Sequence, residues 1–243
     1  MTRIEILPVE GIPEVREGDD VAALVAERIR LEDGDVVVVA QKVVSKAEGR
    51  VVRLDELEPS AQARELAGPD GDPHRLEAIL RESERLVRVR GSLVIAATRH
   101  GFVCASAGVD ASNTGEAGAL VLLPLDPDAS ARRIRARLRE LAGVDVGVVV
   151  ADSFGRAWRQ GTTNVAIGAS GVPVLVDHAG QVDAVGYELH ATVIAVADEL
   201  ASAAELVMGK LDGVPVAIVR GFALRGDGEA RELVMPPDRD LFR

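Results

Sequence analysis

Val148-Val-Val-Ala-Asp152-Ser153-Phe154-Gly155-Arg156-Ala-Trp158-Arg159-Gln-Gly161 is the stretch that decides how this chain is read. Its apolar opening predicts a strand buried on both faces that stops at an acid, Asp152. A hydroxyl, a glycine, two arginines and the only tryptophan follow. Buried parallel strands present ligand-handling groups just beyond their carboxyl ends. A carboxylate beside a hydroxyl, Asp152 with Ser153, suits a hard cation such as Mg²⁺ or Mn²⁺. The arginine forks suit phosphate or carboxylate groups. The plainer alternative is an Asp that caps a helix beside surface arginines.

A second stretch has the same grammar: Ala105-Ser-Ala-Gly108-Val109-Asp110-Ala-Ser112-Asn113, followed by Gly115-Glu116. An apolar segment, Gly101 to Ala107, runs toward Asp110, and small polar residues follow. Two strand-end carboxylates from distant parts of a chain, meeting around one metal, suit phosphoryl chemistry. Asn113 would then partner a base, ribose or phosphate. The alternative is an Asx-turn at Asp110 with Asn113 at a loop tip. The pairing of the two stretches favours the functional reading.

The chain has 243 residues, enough for one large domain or two closely joined lobes. Its hydrophobic content is 47% with 2% aromatics, so Val, Ala, Leu and Ile must fill the core. A net charge of −11 argues against nucleic acid or an anionic membrane as partner, yet permits an anionic small substrate held by local cations. Cys104 is the sole cysteine, which excludes a disulfide framework and reads as core. Met1 leads directly into an alternating strand rather than a signal peptide. The apolar segment from His190 to Met208 is broken by Asp198, Glu199 and Glu205, so no membrane span is expected. The chain reads as soluble and cytoplasmic.

Along the chain, Ile4 to Val9 predicts a strand ending in a Gly11-Ile12-Pro13 loop. Asp19 or Asp20 caps a helix from Val21 to Arg30. Strands are expected over Asp35 to Ala40 and Arg50 to Arg53, then helices from Ser60 to Ala67 and from Pro73 to Val87. The loop Gly68-Pro-Asp-Gly-Asp-Pro73 is the candidate hinge by composition. Leu93 to Thr98 and Gly101 to Ala107 form a hairpin, and Ala119 to Leu123 another strand. Asp126 and Pro127 open a helix to Ala142, ended by Gly143. Its arginines read as a solvated face. Short glycine-punctuated strands over Asn164 to Asp177, an Ala-rich helix stopped by Gly209 and a strand Pro215 to Arg220 complete the order. Gly226 to Arg243 reads as a charged tail, mobile at its end. The elements are mixed but not in strict βαβ order, giving an α+β or mixed α/β body of one or two lobes rather than a doubly wound sheet.

Several chemistries are absent. The chain has no Gly-x-x-x-x-Gly-Lys-Ser/Thr loop, no Gly-x-Gly-x-x-Gly after a strand and no Gly-x-Ser-x-Gly elbow. His74, His100, His178 and His190 lack zinc-ligand spacing. Lys42 and Lys46, just beyond a buried strand, are either phosphate lysines or ordinary surface lysines.

Read in order, the blocks Leu7 to Pro13, Ser45 to Gly49, Ala107 to Asn113 and Leu123 to Pro127 resemble the coenzyme F420-0:γ-glutamyl ligase family. So do Asp152 to Arg156, Ala166 to Gly168, Val196 to Glu199 and Val219 to Gly221. The wording of Asp152 to Arg159 resembles that family's bacterial branch, whose ligase portion is often fused to a C-terminal flavin-reductase-like domain not found in this sequence.

The resemblance implies a two-lobed α+β body, an intertwined homodimer, and a GTP-dependent ligase. Such an enzyme joins L-glutamate to the lactyl carboxylate of F420-0 through an acyl phosphate, and some add further γ-linked glutamates. It implies Asp110, Asp152 and Ser153 as holders of divalent cations, with K⁺ as a possible further cofactor. It places Ile12, Pro13, Glu14, Val15, Gln41, Lys42, Lys46 and Asn113 on GTP, with Met208, Gly209, Lys210, Leu211, Asp212, Gly213 and Val214. Asp110, Asp152 and Lys46 carry catalysis in this reading. Arg156 or Arg159 would orient the deazaflavin phosphodiester or the glutamate, and Trp158 either stacks on the ring or packs. Lys210 stands where some members have an acidic metal ligand, and it would meet a phosphate instead. The alternatives are a metal-dependent phosphohydrolase and a non-catalytic dimeric partner of a separate reductase.

Overall fold

The computed structural model describes residues 3–223 and 226–241. Its first half runs β1 (Glu5–Pro8), α1 (Val21–Ala26), β2 (Val36–Ala40), α2 (Gln41–Ala47), β3 (Val51–Arg53), α3 (Ala61–Ala67) and α4 (Pro73–Glu82). Then come β4 (Ser83–Arg90), β5 (Leu93–Thr98), β6 (Val103–Ala105) and β7 (Ala119–Val121). The rest is α5 (Pro127–Ala142), β8 (Gly147–Arg156), β9 (Arg159–Ser170), β10 (Val176–Asp177), β11 (Val193–Ile194), α6 (Val196–Met208) and β12 (Val216–Arg220).

A five-stranded sheet in the order β1-β12-β2-β8-β9 forms the main body. Only β2 and β8 pair in parallel, from Val36 opposite Gly147 to Ala40 opposite Ala151. The other three pairings are antiparallel, so the sheet is mixed rather than doubly wound. Strand alternation sorts the valines between two cores. Val37, Val39, Val148 and Val150 face a cluster with α1 and α5, while Val36, Val38, Val149 and Ala151 face α6. Helices on both faces explain why these strands are continuously apolar. Burial of each such valine contributes about 1.5–3 kcal/mol.

A third cluster, including Leu57, Leu76, Ile79, Val94, Ala96, Val109 and Leu120, organises a smaller body of α3, α4, the β3–β7 pair and the β4-β5-β6 sheet. The loop from Gly68 to Asp72 joins α3 to α4, two helices that pack on each other. Phe102 meets Phe154 of β8 edge-on at 6.0 Å and stacks on His100 at 5.6 Å, which ties the two bodies together.

Several expectations need correction. The Val21 helix ends at Ala26 rather than Arg30, and Asp20 caps it by accepting from the Ala23 amide at 3.0 Å. The Pro73 helix stops at Glu82, because Ser83 to Arg90 pairs with β5 as a strand. The segment is a largely exposed edge strand, and cross-strand pairing with β5 overrides the helical reading. Gln41 to Ala47 is a helix, set directly on the end of β2. The segment after β6 leaves the ladder at Ser106 in a tight turn, with Ala107 at φ 52°. The supposed short strands after Asn164 are largely one strand, β9, which spans twelve residues and reaches Ser170. Gly168 is required within it, since a Cβ there would lie 2.2 Å from the Pro127 carbonyl.

The tail is anchored over much of its length. Asp128, almost fully buried, accepts from the Ala169 amide at 2.9 Å and the Ala230 amide at 2.7 Å. Gly228 donates to Val172 at 2.8 Å, and Glu229 and Glu232 form a reciprocal cap on the turn at Ala230. The expected mobile end at 242–243 lies outside the described residues.

Candidate active site

β8 does not stop at Asp152. It continues to Arg156 and turns through a hairpin into β9. What ends before Asp152 is the partner strand, since β2 reaches only Ala40, opposite Ala151, and then becomes α2. Asp152 is therefore the first residue past the parallel pairing, where a gap opens beside β8. The strand-end logic holds for β2 and fails for β8.

A cleft of about 560 Å³ occupies that gap. Both faces of β8 reach it there: Asp152 lies on the face of α2 and Ser153 on the face of α6. Of the expected nucleotide contacts, Ile12, Pro13, Glu14, Val15, Gln41, Lys42, Lys46, Asn113, Met208, Gly209, Lys210, Leu211, Gly213 and Val214 line it. Asp212 is not among the lining residues, although a Cβ on Gly209 would lie 2.1 Å from its carboxylate. Gly209 takes φ 59°, a conformation that suits glycine and turns the chain sharply off α6.

The two lysines of α2 hold the surrounding loops. Lys42 Nζ lies 2.6 Å from the Asp110 carboxylate and donates to Ser112 Oγ at 2.8 Å. Lys46, one turn further and buried, pairs with Glu14 and donates to the Asn113 carbonyl at 2.7 Å. Neither is an ordinary surface lysine. The Asx-turn considered for Asp110 also exists, with the Ser112 amide donating to Asp110 Oδ1 at 2.6 Å. Asn113 sits at φ 53° beyond it. Asp110 is thus both a turn former and a neighbour of the site.

Enclosure by protein pushes the Asp152 carboxyl up to about 6, and the nearby Asp110 charge adds to the rise. The Ser153 amide, Lys42 and Lys210 oppose it without prevailing. Burial acts on Asp110 in the same direction, but hydrogen bonds from Lys42 and Ser112 outweigh it and hold that carboxyl below its usual range. Asp152 and Ser153, its neighbour in the chain, line the cleft with oxygen donors, which fits Mg²⁺ or Mn²⁺. Asp110 is not among the lining residues, but its charge reaches Asp152, and a divalent cation would relieve that repulsion. Among the described residues no group of three or more His, Cys, Asp or Glu gathers as a metal cluster, so further ligands would come from phosphate or water.

Gln41 is 1% exposed, and its Oε1 accepts from Ser45 at 2.8 Å. Its Nε2 is buried without a partner, and Gln41 is one of the residues that line the cleft. Such an orphan donor costs about 1–3 kcal/mol unless a ligand supplies an acceptor.

The hairpin tip stands apart. Arg156, Trp158 and Arg159 do not line the cleft. Trp158 is 82% exposed at the turn, with φ 58°, so it is not packed into the core of its own chain. Conversely, Asn164 and Glu205 line the cleft and were not anticipated. A signal existed for the second. Asp198 and Glu205 are two turns apart on α6, flanking its apolar stripe, and Asp198 accepts from the Ala166 amide at 2.9 Å.

The geometry defines an α/β protein with a polar cleft lined by lysines and carboxylates. A family model described as F420-0:Gamma-glutamyl ligase matches residues 11–221. The coenzyme F420:L-glutamate ligase of Methanopyrus kandleri is 52% identical over 248 residues, covering 99% of this chain and 97% of that protein. The protein of the same name from Archaeoglobus fulgidus is 46% identical over 243 residues, with 99% and 97% covered. That from Methanothermobacter thermautotrophicus is 44% identical over 250 residues, with 99% of each covered. The chain belongs to the F420-0:gamma-glutamyl ligase family and is a ligase. These relatives are archaeal, so the expected placement in a bacterial branch finds no support. No helix among the described residues is long and apolar enough to cross a membrane.

Proposed function

We propose that the cleft uses GTP to join L-glutamate to the lactyl carboxylate of F420-0 through an acyl phosphate. The relatives' shared name supports L-glutamate, and the family description supports F420-0 as the acceptor. The observation that carries the cleft assignment is the unpaired Gln41 amide, buried in the same wall as Lys42, Lys46 and Asp152. An ordered polar ligand with an acceptor at that point satisfies it, and a nucleotide base or ribose supplies one.

A carboxylate resists attack by an amine until its oxygen becomes a leaving group. Transfer of the γ-phosphoryl group to that oxygen forms the acyl phosphate. The glutamate amine then attacks the carbonyl carbon, and the C–O bond to phosphate breaks as the amide forms. Lys42 and Lys46 supply positive charge for the phosphates, exchanging their present partners Asp110 and Glu14. Asp110, Asp152 and Ser153 would hold the divalent cation, which when bound neutralises phosphate charge. Lys210 adds charge where a further acidic ligand is lacking. Arg156 and Arg159 would bind the deazaflavin substrate from the hairpin tip, in an arrangement that a homodimer completes. The enzyme would work in the cytoplasm, without nucleic acid or membrane.

Oxygen tracing tests the pathway. F420-0 labelled with ¹⁸O in its carboxylate should pass one label to inorganic phosphate for each amide formed. Unlabelled phosphate alongside amide formation rejects the acyl phosphate.

A further inference from the structure

We propose that Asn164 and Glu205 are positioning residues that commit the Ser153 hydroxyl to act as a cation ligand. The proposal rests on the reading of Asp110, Asp152 and Ser153 as a divalent-cation site. Ser153 and Asn164 face each other directly across the β8–β9 ladder. Ser153 Oγ donates to Asn164 Oδ1 at 2.7 Å, and Asn164 Nδ2 donates to Glu205 Oε2 at 2.9 Å. All three residues line the cleft, and Asn164 is 4% exposed.

The polarity of this chain follows from its last member. A carboxylate only accepts hydrogen bonds, so Glu205 obliges Asn164 to present its NH₂ to α6. The amide oxygen must then face Ser153. The single hydroxyl proton of Ser153 is thereby used, and the two lone pairs of Oγ are left for the cleft. That is the character a hard cation requires of a neutral oxygen. Reversal of the amide would instead leave Ser153 with its proton free to point into the site.

The helix holds Asn164 at a second point. Ser202 Oγ donates to the Asn164 backbone carbonyl at 2.7 Å. Ser202 and Glu205 are three residues apart on one face of α6. The same helix face therefore fixes both the position of the β9 backbone and the orientation of the amide. Partners of this kind typically alter metal affinity by ~10–100-fold when removed.

The test is a Mn²⁺ titration of the full-length, metal-free protein followed by electron paramagnetic resonance, with thermal melting run on every variant. Asp152→Asn and Ser153→Ala should each weaken Mn²⁺ binding. Asn164→Ala should weaken it ~10-fold or more, and should add nothing in a Ser153→Ala background. Glu205→Leu should match Asn164→Ala. Glu205→Gln keeps an acceptor but can also donate to a flipped Asn164 amide, so its affinity should fall between wild type and Glu205→Leu. Should Asn164→Ala fail to fold, the Leu and Gln variants at Glu205 carry the same comparison. Wild-type affinity in Glu205→Leu, or an Asn164 effect that adds in full to that of Ser153→Ala, overturns the proposal while leaving the cation site standing. Mn²⁺ binding indifferent to both Asp152→Asn and Ser153→Ala overturns the cation site itself.

Discussion

Asp152→Asn should make the free protein more stable while abolishing its activity. The carboxyl is raised to about 6 from an ordinary 3.8, chiefly because folding encloses it. A group that binds its proton more tightly when folded destabilises the fold once pH strips that proton away. Below about 3.8 the acid is neutral in both states and costs nothing. The cost grows between 3.8 and 6 and is complete above 6. At 1.36 kcal/mol per unit, the penalty near neutrality is about 3 kcal/mol, falling to about half at pH 5. Asparagine keeps the shape and the acceptor for the Ser153 amide without the charge. In a chain of this size about 3 kcal/mol corresponds to roughly 6–12 °C in melting temperature. The assay is calorimetry of wild type and variant with EDTA at pH 7.5 and pH 5. Mn²⁺ added afterwards should raise the wild type and leave the variant unmoved, because only a ligand that binds the folded state stabilises it. A variant that melts at or below wild type at pH 7.5, or whose gain is equal at both pH values, refutes the reasoning.

Other consequences are more local. Gly168→Ala should cost several kcal/mol and lower the melting temperature, because the methyl group meets backbone of Pro127 at 2.2 Å rather than a movable side chain. Cys104, buried and with its thiol pushed up to about 12 by that burial and by the Asp152 charge, should resist a thiol reagent at pH 8 until the protein unfolds. Rapid labelling of native protein contradicts that burial. Lys46→Met should reduce turnover by at least ~100-fold, if Lys46 supplies charge to the phosphates. The same change should also loosen the 12–15 segment, detectable as faster amide exchange there.

The sequence exposed the site better than it exposed the fold around it. Asp110, Asp152, Lys42 and Lys46 were legible because charges directly after apolar runs are costly unless used. Their linkage was not, since the 2.6 Å approach of Lys42 to Asp110 joins residues far apart in the chain. Nor could the local pattern show that β8 outruns β2, because the pairing limit at Ala40 belongs to the partner strand. Ser83 to Arg90 misled for a related reason. Its alternating pattern also continues plausibly from the preceding helix, and only the β5 neighbour decides between them. Asn164 carried no signal beyond a polar residue in a mixed stretch. Its importance arises from lying opposite Ser153 and below Glu205.

The most direct measurement is the product mass after incubating the protein with F420-0, L-glutamate, GTP and Mg²⁺ or Mn²⁺. The account predicts a gain of one or more glutamyl units that needs both nucleotide and metal and is absent with Asp152→Asn. A folded protein that releases phosphate from GTP without adding glutamate, or adds it equally well with Asp152→Asn, contradicts it.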